Sequence, residues 1–482
     1  MRKDRPYTYL GTTQGMCRQC RALVPCRVLE DGGHVYQERL CPTCGTARVM
    51  LAESVEWYAE ATRTPVHCKP DRRPGTPVQR GCPHDCGPCE FHRNACHLPV
   101  FSVTNVCDMA CPICFTYNRP ETPYFMSRAE LKLILDGVLA RAGAVDLVNV
   151  TGGEPLLHPQ IDELLAECQR PEIGRVTVNS NGLQLANNDD LCRRLADLGV
   201  YVILSLHTLR PDASHRVHGR DVTAAKLAAR ENLQRSGIGT TLLHVMIGGV
   251  NEPEIGDIIR LAKTHSVVRS VTVQTMTYTG QGGGLFQPRQ HVPLDRAARL
   301  IEETTGGELR RTDFFPHPAA HPLCYSVAYY LKGDGPYRSF TDFLTRAQLR
   351  DLLTGGYLLQ PGEALQREFK LALDRLWAEG GDPALLRQLK ELLVRLYPPG
   401  RTLSDFQRQR MAEERILTVY LHAHMDEDTL DLGRLAVCPD QVPDSAGRMT
   451  PACAYNIFYR QQDSRFFAER AATEPATGGA PC

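Results

Sequence analysis

The chain has 482 residues, 42% of them hydrophobic, with Lys plus Arg and Asp plus Glu both at 55. A chain of this length can bury a sizeable core and suggests two to four folded units. The balanced charge leaves no overall field to attract nucleic acid or an acidic membrane surface, and no nucleic-acid partner is expected. No stretch approaches the roughly 18 apolar residues of a membrane span, and the start, MRKDRPYTYLGTTQG, lacks an apolar leader, so a cytoplasmic protein is expected. Nineteen cysteines in a reducing compartment point to metal rather than disulfides, and thirteen of them precede residue 115.

Residues 1–66 read as a small metal module. Cys17 and Cys20, then Cys41 and Cys44, form two C-x2-C pairs on either side of a hairpin predicted around Asp31-Gly32-Gly33. Four thiolates on two tight turns fit a tetrahedral zinc or a single iron. Cys26 and Cys68 fall outside the pattern and read as ordinary thiols. In residues 67–98, a Pro/Arg/Gly-rich wrap leads into Cys82, Cys86 and Cys89, spaced C-x3-C-x2-C, with Cys96 seven residues on. The same spacing recurs at Cys107, Cys111 and Cys114. One such loop can hold three corners of an iron–sulfur cubane. Cys96 can complete four-thiolate ligation of the first cluster. The second has no further cysteine until Cys168, in the predicted helix IDELLAEC, so it keeps one iron open to a small chelating ligand.

Residues 99–310 alternate strand and helix six times, with apolar, β-branched strands. That is the pattern of a parallel α/β sheet, open or barrel-like, with ligands at the C-terminal strand ends. Cys107, the TGGEP stretch from Thr151 to Pro155, and Asn179-Ser180-Asn181-Gly182 fall at successive strand ends. Residues 311–360 are irregular. Residues 361–430 read as a helical insertion: Leu365, Phe369, Ala372 and Leu376 mark one face, and Leu385, Leu389, Leu392 and Leu396 the next. This pair either packs together or caps an apolar substrate pocket. Cysteine returns in 431–470, and 471–482 reads as a disordered tail.

The second triplet, TGGEP and the βα alternation together resemble the radical S-adenosylmethionine (SAM) superfamily. The resemblance implies a partial (β/α)6 barrel and an open iron that chelates SAM. It also implies a 5′-deoxyadenosyl radical made from SAM with an electron from a low-potential donor such as ferredoxin or flavodoxin. It places Thr151, Gly152, Gly153 and Glu154 at the methionyl amine, with Glu154 supplying negative charge. Ser180 and Asn181 fall at the methionyl carboxylate or ribose, Ser205 and His207 at the next strand end, and Val245 to Asn251 at the adenine. Ile113 stands where the superfamily often has an aromatic residue against adenine.

A closer likeness runs through the rubredoxin-like start, GCPHDCGPCEFHRNAC, SVTNVCDMACPICF, GGVNEPEIGDII, HPLCYS, HMDEDTLDLGRLAVC and PACAYN. These blocks resemble the group of archaeal tetraether lipid synthases and proposed pterin C-methylases. The likeness implies a C-terminal auxiliary region in which Cys324, Cys438 and Cys453 help ligate a third [4Fe–4S] cluster beside the two triplet clusters. The leading expectation is C–C bond formation on a lipid alkyl chain, with residues 361–397 walling a tunnel, Arg210, Arg216, Arg220 and Lys226 at a headgroup, and the protein peripheral at the inner membrane face. The alternative is methylation of a pterin-like small molecule. An electron-transfer protein without substrate is the alternative from another class.

Overall fold

The computed structural model describes residues 5–71, 77–87, 89–116, 118, 122–333, 335–444 and 447–466. The tail expected at 471–482 lies outside them. The N-terminal module is a four-stranded antiparallel sheet of β1 (Thr8–Met16), β2 (Leu23–Asp31), β3 (His34–Cys41) and β4 (Gly45–Ala52). The predicted hairpin joins β2 to β3. Gly32 and Gly33 take φ of +63° and +85°, the left-handed pair that a tight hairpin turn requires.

Six parallel strands follow in sequence order: β5 (Leu98–Ser102), β6 (Val148–Thr151), β7 (Val176–Ser180), β8 (Tyr201–Ser205), β9 (Thr240–Met246) and β10 (Val268–Thr275). Their side chains alternate. Phe101, Val150, Val178, Leu204, Leu242 and Val273 are fully buried against the crossover helices, and the intervening residues face the barrel interior. The helix Arg128–Ala142 shows how the outer layer is specified. Ser127 accepts the Glu130 N–H at its start, Gly143 ends it at φ +77°, and Leu131, Ile134, Leu135 and Val138 form its buried stripe. Cys168 is buried in the helix Ile161–Cys168.

Beyond β10 the sheet continues in an order that the sequence does not announce. The remaining strands are β11 (Phe315–Pro316), β12 (Tyr325–Leu331), β13 (Arg338–Ser339), β14 (Ile416–His422), β15 (Asp440–Pro443) and β16 (Met449–Pro451). The order across the sheet is β11-β12-β14-β10-β9-β8-β7-β6-β5-β15-β16, with β13 on β12. β14 therefore joins β10 in parallel, inside the span expected to be a helical insertion, which turns to strand at Ile416. The two ends of the curved sheet meet through Asp440 of β15, whose carboxylate accepts hydrogen bonds from Tyr325 of β12 (2.6 Å) and from Tyr357 (2.8 Å). The result is a six-strand barrel core closed by C-terminal strands.

The helices Glu363–Ala378 and Pro383–Leu396 form the expected pair, but they do not cap the barrel cavity. Phe369, Leu385 and Leu389 pack with Phe315, Val327, Tyr329 and Ile416 in a separate core on the outer side of β12 and β14, and no residue of the pair lines the cavity. Among the described residues no helix is long and apolar enough to cross a membrane.

Candidate functional site

Cys107, Cys111 and Cys114 follow β5 and line a cavity of about 330 Å³ that runs along the barrel axis. Burial pushes the Cys107 and Cys111 thiols up to about 12, so their ligating thiolate form depends on the charge of a bound metal.

The loop before them is held by the glycine pair after β6. Gly153 N–H donates to Thr104 O (2.7 Å) and Glu154 N–H to Val106 O (2.7 Å). A Cβ on Gly152, at φ +148°, would lie 2.3 Å from Thr104 O, and one on Gly153 2.2 Å from Val106 O. These glycines therefore seat the cysteine loop. Gly152, Gly153 and Thr151 also line the cavity.

Glu154 departs from expectation. It is buried away from the cavity, its Oε1 accepts Leu156 N–H (3.1 Å) and its Oε2 accepts Asn181 N–H (2.7 Å). Burial raises its carboxyl to about 7. It caps the 3-10 turn Pro155–Leu157 and ties β6 to the end of β7, and its charge acts on Cys107 and Lys226 at the cavity wall. Asp108 makes the complementary link: its carboxylate accepts from Asn181 (2.7 Å) and Gln184 (3.1 Å), so the cysteine loop and the β7 end hold each other.

Ser180, Asn181, Ser205 and His207 line the cavity as expected. Ser180 Oγ accepts Gly182 N–H (3.0 Å), Ser205 Oγ reaches Asn179 Oδ1 at 3.4 Å, and the His207 ring stacks on His218, which lies 3.7 Å from Cys111 Sγ. Ile113 packs with Ile247 and Val250 in an apolar cluster beside Val245, whereas Asn251 is spent within the fold on Ile247 N, His207 O and Val245 O.

The four basic residues expected at a headgroup do not converge. Arg210 pairs with Glu254, Arg216 is exposed, and Arg220 donates to Asp108 O. Lys226 alone is buried at the cavity, donating to Asn181 O (2.9 Å) and Ser205 O (2.6 Å), with burial lowering its ammonium to about 8.

A second cavity, about 300 Å³, is lined by Cys82, Cys86 and Cys89. Asp85 orders its loop by accepting the N–H groups of Gln79, Arg80 and Gly81, and the Tyr459 hydroxyl accepts Cys86 N–H while donating to Pro83 O. Cys96, expected as the fourth ligand, does not line this cavity. Asn94 anchors the intervening chain on Ala319 O and Val437 O, and the Cys96 thiol is buried against the backbone of Leu98 and Gln441.

Burial pushes the Cys438 and Cys453 thiols up, and the three lie close enough that Cys324 and Cys453 add to the rise at Cys438 and Cys324 to that at Cys453. Their other partners are Arg434 Nε at Cys324 (3.3 Å), Asp440 O at Cys438 (3.3 Å), and Met425 N–H at Cys453 (3.2 Å), where His424 Nδ1 lies 3.6 Å away.

In the N-terminal module the ligand atoms of Cys17, Cys20, Cys41 and Cys44 lie within 4.8 Å of one another, and the Cys20 and Cys41 sulfurs are 3.7 Å apart. Tetrahedral Zn–S bonds give a sulfur separation of about 3.8 Å, so the site fits a metal. Arg18, inside the first knuckle, donates to Tyr278 O (3.0 Å) and Gly283 O (3.0 Å) and pairs with Asp428 (2.9 Å).

Sequence reasoning missed the short helix Gly280–Leu285, whose Gly282 N–H donates to Cys114 O (2.7 Å) and where a Cβ on Gly280, at φ +60°, would lie 2.3 Å from Phe115 O. The GQGGG run was its signal. It also missed the C-terminal wall of the cavity: Gln274, Tyr325, Tyr357, Tyr420, His422 and Asp440, with Asn456 and Arg460 above. Their alignment depends on sheet pairings between distant segments.

The model of the radical SAM superfamily matches residues 101–262, and that of the HMPTM N-terminal zinc ribbon domain matches residues 9–53. A 7,8-dihydro-6-hydroxymethylpterin dimethyltransferase of Methanocaldococcus jannaschii is 23% identical over 497 aligned residues, covering 95% of each chain. A GTP 3′,8-cyclase of Rhodopseudomonas palustris is 30% identical over 263 residues, 49% of this chain and 73% of its own. Among solved structures, SuiB of Streptococcus suis with its precursor peptide SuiA superposes at a TM-score of 0.37, with 18% identity, over 44% of this chain and 46% of that one. The family implies a [4Fe–4S] cluster and SAM, and the cavity fits both, with three thiols at its mouth and an apolar slot beside Ile113. The chain belongs to the radical SAM superfamily, an enzyme with a zinc-ribbon N-terminus.

Proposed function

We propose that this enzyme adds carbon to a small, polar, nitrogen-containing heterocycle of the pterin kind. The observation that carries this reading is the set of polar side chains placed along an otherwise largely apolar barrel interior. Asn149, Thr177, Asn179, Thr272, Gln274 and His422 all face the cavity. A lipid chain would need a long apolar tunnel, yet the Glu363–Leu396 region lies outside the barrel and the basic residues named for a headgroup are dispersed. The full-length likeness to a pterin dimethyltransferase supports the same choice.

In this reading Cys107, Cys111 and Cys114 hold the radical-forming cluster, Cys82, Cys86 and Cys89 an auxiliary one, and Cys324, Cys438 and Cys453 help hold a third. A ferredoxin or flavodoxin supplies the electron. When bound, the cluster and SAM supply a 5′-deoxyadenosyl radical that takes hydrogen from an unactivated C–H bond. The chain's own residues do the positioning. The Gly152–Gly153 backbone fixes the cysteine loop, and Ile113, Ile247 and Val250 form the adenine slot. Lys226 spends two of its three N–H bonds on Asn181 O and Ser205 O, leaving the third for the methionyl carboxylate.

The test is anaerobic reconstitution, reduction, and incubation with SAM and deuterated 6-hydroxymethyl-7,8-dihydropterin or a deuterated diether lipid. Deuterium should enter 5′-deoxyadenosine from the pterin. Transfer from the lipid alone would refute the substrate reading, and equal 5′-deoxyadenosine from Cys111→Ala would refute the radical reading.

A further inference from the structure

We propose that Gln274, in a row with His422 and Tyr325, is the specificity site for the lactam edge, the adjoining ring N–H and C=O, of the substrate heterocycle. The inference rests on the substrate reading above and adds the residue that reads the ring.

The row follows from sheet register. β10 pairs with β14 in parallel with Gln274 opposite His422, and β14 pairs with β12 antiparallel with His422 opposite Tyr325. All three therefore stand at one level on adjacent strands, and all three line the cavity that holds Cys107, Cys111 and Cys114. At the usual strand spacing the row spans about 10 Å, enough for a fused bicyclic ring. On the β9 side Gln274 is opposite Val245, also at the cavity, which offers an apolar surface for the ring's face.

Gln274 is only 7% exposed, yet among the described residues its side-chain amide makes no hydrogen bond to protein. Its neighbours are engaged. Tyr325 donates to Asp440 and stacks on His422 with ring centroids 3.9 Å apart and planes at 14°, so neither ring can turn to serve Gln274. Buried amides are ordinarily paired, and one that faces a cavity without a protein partner is positioned for a ligand. A primary amide presents a C=O acceptor and an N–H donor in one plane, the mirror of a cyclic amide's N–H and C=O, so the two can pair bidentately. An alkyl chain has nothing to offer this group.

The test is a fluorescence titration of the reconstituted holoenzyme, SAM present, with 6-hydroxymethylpterin and with its analogue lacking the 4-oxo group. Wild type should bind the pterin and reject the analogue by about 10- to 100-fold. Gln274→Leu should weaken pterin binding by a similar factor and bind the two compounds alike, a loss of discrimination that general damage would not produce. Gln274→Met, which keeps the length but offers neither the amide's donor nor its acceptor, should also lose the preference. Iron content and melting temperature identify a variant that has not folded, and the remaining variant then decides. If wild type binds the pterin and both folded variants discriminate as well as it does, the inference falls while the substrate reading stands. If wild type does not bind the pterin, the substrate reading falls and takes the inference with it.

Discussion

Replacing Gly153 by alanine is a one-carbon test of the cysteine loop. The added Cβ would sit 2.2 Å from Val106 O, 2.6 Å from Val106 C and 3.0 Å from Asn105 C, all backbone atoms that no rotamer change can move. Relief requires the two segments to part by roughly 1 Å. That breaks the bonds from Gly153 N to Thr104 O and from Glu154 N to Val106 O. Each is worth about 1 kcal/mol if water replaces it and up to about 3 kcal/mol if the groups stay buried, so the cost is about 2–6 kcal/mol. Val106 adjoins Cys107, so the displacement falls on the metal loop itself. Urea unfolding should register the loss, and the EPR signal of the reduced, SAM-perturbed cluster should weaken or vanish. Gly137→Ala is the control: its Cβ meets nothing within 4 Å in the helix Arg128–Ala142, and it should stabilise by up to about 1 kcal/mol. A Gly153→Ala protein whose stability stays within about 0.5 kcal/mol of wild type, the range of an inconsequential substitution, and that keeps the signal would refute this account.

Arg18→Ala should cost about 1–3 kcal/mol, because Tyr278 O loses its donor, while Gly283 O keeps Arg289 at 3.4 Å and Asp428 keeps Arg39 at 2.7 Å. The helix Gly280–Leu285 abuts Cys114, so the cluster's EPR line should also broaden; an unchanged line would separate the ribbon from the cluster. Cys96→Ala should retain all the iron, while Cys86→Ala should lose one cluster's worth and the product, keeping some SAM cleavage. Iron assays giving equal losses for the two would restore Cys96 as a ligand. Glu154 sets a pH dependence. Burial raises its carboxyl from 4.5 to about 7, so its contribution to the folded state is complete below about pH 4.5 and is lost as pH rises through about 7, on the order of 3 kcal/mol. Urea midpoints should fall between about pH 5 and 8 in wild type and more shallowly in Glu154→Gln; parallel slopes would remove Glu154 as the cause.

The sequence spoke plainly where the signal was local. The βα alternation of 99–310 shows because each strand is a short β-branched run with its own helix behind it, and the two C-x2-C pairs show because a knuckle is a local turn. Its silence elsewhere has a physical origin. Nothing within Ile416–His422 says that it pairs with Val268–Thr275, so from sequence it reads as part of the helical stretch before it. TGGEP was legible as a motif while its working was not. The glycines answer to carbonyls at Thr104 and Val106, and Glu154 to N–H groups at Leu156 and Asn181, partners that only the folded chain brings near. Cys96 was assigned by spacing, and spacing could not know that Asn94 would pin the chain and turn it into β5.

The C-terminal cysteines lie next in sequence to residues that wall the barrel cavity. Cys324 adjoins Tyr325, Cys453 adjoins Ala452, and Cys438 is two residues from Asp440; each of those neighbours lines the barrel cavity. His424, at 3.6 Å from Cys453 Sγ, stacks on Phe115, which follows Cys114. The three thiols therefore stand behind the wall that faces Cys107, Cys111 and Cys114, and a change at any of them moves that wall. Loss of product in a Cys438→Ala protein thus has two causes with one appearance, a missing electron path and a displaced Asp440. Pterin affinity separates them: it falls if Asp440 has moved, because the hydroxyls of Tyr325 and Tyr357 lose their shared acceptor, and holds if only electrons are lost.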